Sequence, residues 1–483
     1  MKMQLTKIIA GLDCERHNFS EREIKSVTFD SRAVGSGSLF VAQRGVHVDG
    51  HKYIDQAVSQ GAVAVVCEEL PGSLNPEVSY IAVSDSSAAL GDMASNYYGN
   101  PSRQIKLVGV TGTNGKTTTV TLLHRMFRLA GHHVGLISTI VNKIDEQDIP
   151  TTHTTPDALE LNRLLSEMVK QGCDYCFMEV SSHAVVQHRI GGLTFYGGVF
   201  SNITHDHLDF HKTMKAYIEA KKGFFDMLPA GAFALVNKDD RNGMVMVQNT
   251  KATVSTYSLR GNADFGCKII ENTFQGLHLE LNGCEVWVRL VGRFNAYNVT
   301  AIYGVAVLCG IDKLEALRLL STLSAAEGRF EYINGKGVTG IVDYAHTPDA
   351  LENVIDTINA IREKQQRLIT VVGCGGDRDK TKRPEMAQIA VRKSDIVILT
   401  SDNPRTENPE SILDDMYAGL TSDEQRQALR ISDRRQAIKT ACMTAKSGDI
   451  ILVAGKGHEK YQEVNGVRSH FDDKEEVGEF LND

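Results

Sequence analysis

The chain has 483 residues, and because one hydrophobic core rarely grows beyond about 250–300 residues, this length predicts two or three domains. Apolar residues make up 42% and charged residues 23%, as in ordinary globular proteins, and no apolar stretch is long enough to predict a membrane-spanning helix. The net charge of −8 argues against a general nucleic-acid binder or a protein that binds anionic membranes.

The first zone, residues 1–102, mixes short strand-like runs with one or two helix-like stretches. The strand-like runs read SVTFD, SLFVAQ, AVAVVCEE and SYIAV, and YIDQAVSQG is helix-like. The N-terminus carries no signal-peptide pattern, and the cysteines are scattered and odd in number, which fits a reducing cytoplasm. We expect a small N-terminal α/β domain that ends at the polar break YYGNPSRQ.

The second zone, residues 103–330, opens with the apolar run IKLVGV, a Gly/Thr-rich turn and a helix-like stretch for which Gly131 is the expected C-cap. The runs YCFMEV, GGVFSNI and AFALVN are apolar throughout, which is typical of a parallel sheet covered on both faces. Cys173 and Cys176 form a CxxC without a second pair at zinc spacing, so we interpret them as buried thiols. This zone predicts a central domain with a mostly parallel sheet.

The third zone, residues 331–483, alternates strands with helices. The strand candidates are GIVDYA, RLITVVG, DIVILT and DIILVAG. Thr347 and Pro348 predict the N-cap and first residue of one helix, and Asn408 and Pro409 those of another. Strand–helix alternation predicts a Rossmann-like C-terminal domain.

The strongest chemical motif is VTGTNGKTT at 110–118, placed after a strand and before a helix. Gly112 and Gly115 allow a tight turn whose N–H groups converge on phosphate oxygens, while the helix N-terminus adds partial positive charge. Lys116 supplies a full charge, and the Thr117 hydroxyl is a candidate Mg²⁺ ligand. Val110 occupies the first glycine position of the general GxxxxGK[ST] pattern, so the alternative is a Gly-rich turn with a solvated lysine.

The string TGTNGKT resembles the phosphate loop of the Mur ligases and folylpolyglutamate synthetases. Further motifs extend the match over almost the whole chain: FDSR at 29–32, TTPD at 154–157, MEVSSHAVVQHR at 178–189, SNITHDHLDFH at 201–211, GRFNAYN at 292–298, EGRFE at 327–331, DYAHTPD at 343–349, GCGGDRDKTKRP at 373–384, DNPR at 402–405 and GKGHE at 455–459. The resemblance to the Mur ligases implies three α/β domains: a UDP-binding N-terminal domain, a central P-loop ATPase domain and a Rossmann-like C-terminal domain. The FDSR domain argues against the folate enzymes, which typically start near the phosphate loop.

The resemblance implies an ATP- and Mg²⁺-dependent ligase of bacterial peptidoglycan synthesis, acting through an acyl phosphate. The expected substrates are UDP-N-acetylmuramoyl-L-alanyl-D-glutamate and meso-diaminopimelate, and a cytoplasmic monomer without nucleic-acid partners is expected. Two alternatives stay open: a lysine-adding ligase of the same family, and a P-loop binding or regulatory protein without ligase activity.

The resemblance also implies roles for individual residues. The expected ATP contacts are Gly112, Thr113, Asn114, Gly115, Lys116, Thr117, Thr118, Asn295, Asn298, Arg329, Asp343 and His346. The expected Mg²⁺ ligands are Thr117, Glu179, His207 and Lys221, the last as a carbamylated lysine. The expected catalytic residues are Lys116, Glu179, His207, Lys221, Arg329 and Asp343.

Two of these residues have a different interpretation from the sequence alone. Glu179 would be a surface acid at a strand end, although a carboxylate there can hold Mg²⁺. Lys221 would be a solvated helix lysine. The stretch from His205 to His211 loosely resembles the HxHxDH arrangement of binuclear metallohydrolases, but its spacing does not fit.

The remaining expected residues contact the two substrates. For the UDP-linked peptide they are Ser31, Thr154, Thr155, Ser181, Gln187 and Arg189, and for meso-diaminopimelate Arg378, Asp402, Asn403, Pro404, Arg405, Gly455 and Glu459. Two positions depart from the family pattern: His153 replaces an Asn found in some members, and residues 46–48 read VHV where HQA is common. Lysine-adding relatives usually lack the Arg of DNPR, which favours diaminopimelate.

Overall fold

The structure is a computed structural model that describes residues 2–45, 48–151, 153–206 and 208–482. Its main sheets divide along the chain into an N-terminal, a central and a C-terminal group of strands. The three-domain α/β fold predicted from the sequence is therefore confirmed. No helix within the described residues combines the length and apolarity needed to span a membrane.

The N-terminal domain is built on a small, mainly parallel sheet. Its elements are β1 (Met3–Gln4), α1 (Leu5–Ile8), β2 (Glu15–His17), β3 (Glu23–Ile24), β4 (Ser26–Thr28), a 3₁₀ helix (Ser31–Ala33), β5 (Ser38–Val41), a 3₁₀ helix (Gly50–Tyr53), α2 (Ile54–Ser59), β6 (Ala62–Cys67), β7 (Ser79–Ala82), α3 (Ser86–Tyr97) and a 3₁₀ helix (Pro101–Arg103). The strand order is β2-β7-β6-β5-β4, with β2 antiparallel at one edge. The strands predicted in this zone are all present.

The central domain is built on a large twisted sheet. Its elements are β8 (Lys106–Thr111), α4 (Lys116–Leu129), β9 (Val134–Ile137), β10 (Asn142–Ile144), β11 (Gln147–Ile149), α5 (Ala158–Lys170), β12 (Tyr175–Glu179), α6 (Ser182–Val186), β13 (Gly197–Phe200), α7 (Leu208–His211), α8 (Met214–Asp226), β14 (Phe233–Asn237), α9 (Gly243–Met246), β15 (Thr253–Ser258), β16 (Phe265–Thr273), β17 (Gly276–Leu281), β18 (Cys284–Val288), α10 (Arg293–Leu308) and α11 (Lys313–Thr322). The order is β11-β10-β9-β12-β8-β13-β14-β15-β16-β17-β18.

The apolar strand predictions of the central zone lie in the middle of this sheet, where the pairing is parallel. Every residue of β12 is buried, and so are the free thiols Cys173 and Cys176, as expected. The antiparallel ends of the sheet, β10–β11 and β16–β18, were not predicted. Helix α4 ends before Gly131, which has the left-handed φ of +90° expected after a helix end.

The C-terminal domain is Rossmann-like. Its elements are β19 (Glu331–Gly335), β20 (Val338–Asp343), α12 (Pro348–Ile361), β21 (Leu368–Cys374), α13 (Lys382–Lys393), β22 (Ile396–Ser401), α14 (Pro409–Ala418), α15 (Ser422–Gln427), β23 (Ala428–Arg430), α16 (Arg434–Thr444), β24 (Ile450–Ala454), β25 (Tyr461–Val464), β26 (Val467–His470) and α17 (Asp473–Asn482). The main sheet has the order β19-β20-β24-β21-β22-β23 and is parallel apart from β19. Strands β25 and β26 pair with each other as a separate hairpin, which an isolated bridge between Val464 and Arg405 joins to the DNPR motif.

The predicted helix starts in this domain are confirmed by their caps. The Thr347 hydroxyl accepts a hydrogen bond from the Ala350 N–H, with Pro348 at the first turn. Asn408 caps α14 in the same way through the Glu410 N–H. These caps fix where the preceding loops must end, and those loops carry the motifs that the sequence singled out.

Candidate active site

The carboxyl ends of the parallel strands in the central and C-terminal domains face one cleft of about 1290 Å³. Most of the predicted site residues line it: Thr113, Asn114, Gly115, Lys116, Thr117, Thr118, Thr154, Thr155, Glu179, Ser181, Arg189, Lys221, Arg329, Asp343, His346, Arg378, Asp402, Asn403, Arg405, Gly455 and Glu459. Gly112, Asn295, Asn298, Ser31, Gln187 and Pro404 are absent from its described lining. His207 lies outside the described residues.

The phosphate loop is wound tightly between the ends of β8 and β13. Gly112 has a φ of +151°, and a Cβ there would lie 1.9 Å from the Ser201 Oγ, so the close approach requires glycine. The Thr113 N–H donates to the Asn202 carbonyl at 2.8 Å. The Lys116 Nζ donates to the carbonyls of Gly112 and Thr113, each at 2.8 Å, and burial lowers the pKa of this lysine. The loop thus holds a desolvated cation at the start of α4.

Helix α10 supports the loop from behind. Gly115 has a φ of +86°, and a Cβ there would lie 2.4 Å from the Asn298 Oδ1. Asn298 donates to the Asn295 Oδ1 at 3.0 Å, and Asn295 donates to the Val291 carbonyl at 2.8 Å. Both asparagines are buried. Asn298 therefore lies against the loop at Gly115, and Asn295 holds Asn298 in place.

Lys221 is only 1% exposed, so the interpretation from sequence alone that it is a solvated helix lysine is wrong. It shares a buried face of α8 with Tyr217, one helical turn earlier, and with Phe224 and Phe225. Its Nζ donates to the Gly112 carbonyl at 2.8 Å and lies 4.6 Å from the centre of the Tyr217 ring. Burial, reinforced by the neighbouring Lys116 cation, holds the pKa of Lys221 well below its usual range.

Glu179 ends β12 with a fully buried carboxylate, beside the loop. Its Oε1 accepts a hydrogen bond from the Thr139 N–H at 2.8 Å, whereas its Oε2 is buried without a hydrogen-bond partner. No cluster of three His, Cys, Asp or Glu side chains suited to a metal ion occurs among the described residues. A carboxylate with a free oxygen beside a phosphate loop fits Mg²⁺, which usually keeps several waters and binds substrate phosphates.

The segment joining the central and C-terminal domains brings Arg329 to the phosphate loop. Its Nη2 donates to the Thr117 hydroxyl at 3.3 Å, and its guanidinium lies 4.6 Å from the centre of the Tyr344 ring. Asp343, at the end of β20, accepts from the Phe330 N–H at 2.7 Å, and burial raises its pKa to about 6. The His346 Nδ1 donates to the Tyr344 carbonyl, and burial lowers its pKa to about 3. A neutral imidazole and a cation thus face the loop from this side.

Sequence reasoning missed two further contacts in the cleft. The Asn114 side-chain amide donates to the Asp349 carboxylate at 2.6 Å, joining the phosphate loop to the first turn of α12. The Lys382 Nζ donates to the His346 carbonyl at 2.9 Å and also lines the cleft. Asp349 and Lys382 both lie in the quoted motifs, but their sequence positions do not show what they face.

The residues expected to bind the UDP-linked peptide cluster beside Glu179. The Thr155 hydroxyl donates to the Glu179 carbonyl at 2.8 Å and accepts from the Ser181 N–H at 3.2 Å. Arg189 donates to the Thr155 carbonyl at 2.7 Å and to the Gln187 Oε1 at 2.9 Å. Gln187 therefore orients Arg189.

Two other residues of this set have separate positions. Thr154 lines the cleft and accepts from the Thr139 hydroxyl at 3.1 Å. Ser31 lies in the N-terminal domain, where it begins a 3₁₀ helix capped by Asp30. The structure thus places Thr154 near the cluster beside Glu179, whereas Ser31 lies apart from that cluster.

The DNPR and GKGHE motifs meet at the C-terminal side of the cleft. Asn403 donates to the Glu459 Oε2 at 2.7 Å, and burial, followed by the Asp402 charge, raises the pKa of Glu459. Gly455 has a φ of +119°, and a Cβ there would lie 2.6 Å from the Asp402 Oδ2. The Arg405 guanidinium donates to the Gly376 carbonyl at 2.8 Å. These contacts place acidic and basic groups side by side.

Lys456, which the sequence did not single out, completes this pocket. Its side chain is fully buried, and its Nζ lies 3.2 Å from the Asn403 Oδ1 and 3.5 Å from the Glu459 Oε2. Arg378 lines the same part of the cleft. The pocket therefore has the charges needed for a ligand that is itself zwitterionic.

Comparisons with known proteins agree along the chain. Residues 23–98 match the "Mur ligase family, catalytic domain", residues 110–306 the "Mur ligase middle domain" and residues 328–457 the "Mur ligase, glutamate ligase domain". The UDP-N-acetylmuramoyl-L-alanyl-D-glutamate–2,6-diaminopimelate ligase of Parabacteroides distasonis is 57% identical, with 99% of each chain covered. The enzyme of the same name from Bacillus velezensis is 42% identical over 99% of this chain and 98% of its own.

Solved structures give the same picture. A structure of a UDP-N-acetylmuramoyl-L-alanyl-D-glutamate–2,6-diaminopimelate ligase is 33% identical and superposes with a TM-score of 0.71, covering 100% of this chain and 99% of the other. The MurF ligase of Thermotoga maritima, solved in complex with ADP, is 22% identical with a TM-score of 0.62 over 94% of this chain and 96% of its own. The second likeness is one of fold alone.

Proposed function

Because this chain belongs to the Mur ligase family, we propose that it is the ATP-dependent ligase that adds meso-diaminopimelate to UDP-N-acetylmuramoyl-L-alanyl-D-glutamate in peptidoglycan synthesis. One observation carries the choice of amino acid: Arg405 lies in the same pocket as the buried carboxylate of Asp402 and the partly buried carboxylate of Glu459, across the cleft from the phosphate loop. The high identity to relatives with this name supports the same choice.

The reaction proceeds in two steps. The γ-phosphate of ATP is transferred to the substrate carboxylate, giving ADP and an acyl phosphate. The amino group of diaminopimelate then attacks the acyl carbon, and the tetrahedral intermediate expels phosphate to leave an amide. Negative charge develops in both steps, so the Lys116 cation, the α4 N-terminus and Arg329 are the stabilising groups of this chain.

We infer that Mg²⁺ is held by the Thr117 hydroxyl and Glu179, with His207 as a further ligand. The free buried oxygen of Glu179 supports this. The ion supplies charge neutralisation between phosphate oxygens.

We also infer that Lys221 is carbamylated. Burial lowers the pKa of its amine well below the usual range, which favours the neutral, nucleophilic form that adds to CO₂ and loses one proton to give a carbamate. The product is an anion beside Lys116, where it can ligate a second Mg²⁺. The negative charge of the carbamate would also attract the neighbouring Lys116 cation, whereas that cation would repel a protonated Lys221.

The peptide substrate is assigned to the cluster beside Glu179. Arg189 is the proposed partner of its carboxylate, because a guanidinium can donate hydrogen bonds to both carboxylate oxygens, and Gln187 holds that guanidinium in place. Thr154, Thr155 and Ser181 are proposed to contact the sugar and peptide, and Ser31 the uridine diphosphate. The other proposed contacts to ATP are those expected from the motifs: Gly112, Thr113, Asn114, Gly115, Thr118, Asn295, Asn298, Asp343 and His346.

Diaminopimelate differs from lysine at the end that does not react, where it carries a carboxylate as well as an ammonium. Arg405, with Arg378 as a second cation, is proposed to pair with that carboxylate. Glu459 and the Gly455 carbonyl take the ammonium, while Asp402, Asn403 and Pro404 shape the pocket. Lysine lacks that carboxylate, so Arg405 would have no partner in a lysine complex. The loss of such a desolvated charge pair costs on the order of 2–5 kcal/mol.

The test supplies meso-diaminopimelate and L-lysine separately and measures phosphate release and product mass. Phosphate release and an amide product with diaminopimelate, and far less with lysine, are the expected result. Equal or better use of lysine would refute the choice of amino acid. Arg405→Ala should raise the KM for diaminopimelate sharply and leave the KM for ATP nearly unchanged. A regulatory P-loop protein would instead hydrolyse or hold nucleotide without either cosubstrate.

The described helices and the free thiols are compatible with a cytoplasmic enzyme acting on small molecules, and we propose that setting and a monomeric state. Sedimentation of the purified chain would test the monomer.

A further inference from the structure

We propose that the β25–β26 hairpin is a specificity-determining element of the amino-acid pocket, because it positions Arg405. This inference rests on the proposed function and concerns residues that the DNPR and GKGHE motifs do not include. The hairpin spans Tyr461–Val464 and Val467–His470 and follows directly after GKGHE.

The first observation is the backbone of Arg405, which has a φ of +52°. This left-handed conformation is unfavourable for a side chain as large as arginine, so the surroundings must hold it. The hairpin does so from both sides of the residue. The Arg405 N–H donates to the Glu463 carbonyl at 3.0 Å, and the Arg405 carbonyl accepts from the Asn465 N–H at 2.6 Å.

The second observation is that the hairpin also binds the two residues that begin the motif. The Glu463 N–H donates to the Asn403 Oδ1 at 2.9 Å, and the Gln462 side chain donates to the Asp402 carbonyl at 2.8 Å. The buried Lys456 donates to the Tyr461 carbonyl. The hairpin is therefore joined to Asp402, Asn403 and Arg405 together.

The third observation is that the hairpin has little support of its own. Its two strands form a sheet of their own, joined to another segment of the described chain by the isolated bridge between Val464 and Arg405, and isolated two-stranded hairpins are marginally stable in water. Its strand β26 is exposed along its length. Tyr461, Glu463 and Arg468 line the cleft, with Arg468 paired to Glu463 at 3.0 Å. A change in the hairpin turn should therefore reach the pocket through Arg405.

The turn offers a substitution that avoids the pocket. Asn465 and Gly466 form a two-residue turn with φ values of +50° and +78°, the Asn-Gly pattern that tight hairpins favour. A Cβ at Gly466 would meet open space, so Gly466→Val strains the turn without a clash. The chain contains a matched control: Asn282 and Gly283 make the same turn between β17 and β18, with φ values of +48° and +84° and open space at the glycine Cβ.

The experiment compares wild type, Gly466→Val and Gly283→Val in the full chain. Phosphate release is measured while meso-diaminopimelate, ATP and the UDP-linked peptide are varied in turn. Gly466→Val should raise the KM for diaminopimelate about tenfold or more, which corresponds to about 1.4 kcal/mol. The other two KM values and kcat at saturation should stay near wild type. Gly283→Val should leave all of them near wild type.

An unchanged KM for diaminopimelate in folded Gly466→Val overturns the inference. Equal impairment of all three KM values and of kcat overturns it as well. Thermal melts report folding, and if Gly466→Val does not fold, Gln462→Ala, which deletes the single bond to the Asp402 carbonyl, gives the same comparison. Wild type itself tests the proposed function: if it uses lysine and not diaminopimelate, the proposed substrate is wrong. The hairpin inference is then judged by the KM for lysine in the same variants.

Discussion

The hydrogen bond between Asn114 and Asp349 joins two domains, so its removal should affect catalysis more than folding. Asn114 is fixed in the phosphate loop, where its N–H donates to the Asn202 Oδ1 at 3.0 Å. Asp349 lies in the first turn of α12, in the C-terminal domain. The bond forms only when the two domains face each other as in this structure. The perturbation is a double-mutant cycle with Asn114→Ala, Asp349→Ala and the double variant.

The magnitude follows from the geometry. An amide donor 2.6 Å from a partly buried carboxylate is a hydrogen bond to a charged group, worth about 1.5–3 kcal/mol. Each single variant should therefore lower kcat/KM for ATP by about ten- to a hundredfold, at 1.36 kcal/mol per factor of ten. Asp349→Ala also removes an acid from the first turn of a helix, but that loss occurs in both arms of the cycle and cancels. Asp349→Asn keeps an acceptor and should retain most of the activity.

The assay is phosphate release with the other substrates saturating, together with the unfolding temperature of all four proteins. A coupling energy of about 1–3 kcal/mol on kcat/KM is expected, with similar unfolding temperatures. A coupling energy below about 0.5 kcal/mol would show that the two side chains act independently in the transition state and refute the reasoning. Thr204 also donates to Asp349, at 3.4 Å. Thr204→Val therefore removes a longer hydrogen bond to the same carboxylate and serves as a control with a smaller expected loss.

Three further predictions concern single residues. Lys116→Ala should lose at least about 2–4 kcal/mol of transition-state stabilisation with little change in folding, and near wild-type ligation would contradict the phosphate-loop assignment. Lys221→Ala should be nearly inactive and partly rescued by small carboxylates that fill the anionic position, whereas full activity would contradict carbamylation. Glu407, only 16% exposed, has its pKa lowered to about 2, chiefly by its hydrogen bond to the buried Arg383. Its contribution to stability is therefore present above the ordinary pKa of 4.5 and lost as the pH falls through about 2. Glu407→Gln should lower the free energy of unfolding by about 1–3 kcal/mol at neutral pH and by progressively less in acid. Denaturant melts of wild type and variant measure this, and a difference in unfolding free energy that is equal at every pH would contradict a contribution from the ionised carboxylate.

The phosphate loop and the helix starts could be predicted from the sequence because their physics is local. The loop needs two glycines, a lysine and a following helix within nine residues, and those residues are adjacent in the chain. The caps at Thr347 and Asn408 act on N–H groups two or three residues away. Continuous apolar runs predicted the buried parallel strands for the same reason, since each run reports the burial of its own residues.

The burial of Lys221 could not be deduced from its composition, because a lysine on an amphipathic helix is usually solvated. The packing of α8 against the phosphate loop decides whether this lysine lies on the buried face or on the solvent face of the helix. Lys456 is a similar case, since its burial depends on residues on two other loops.

Contacts between distant segments are what the tertiary structure alone decided. Asn114 and Asp349 are 235 positions apart, and Arg405 meets a hairpin that begins more than fifty residues later. The sequence by itself determined which groups could bind phosphate, magnesium and a charged amino acid, because chemistry belongs to the residue types. Which groups face one another across the cleft depends on how the domains pack, and no local pattern encodes that arrangement.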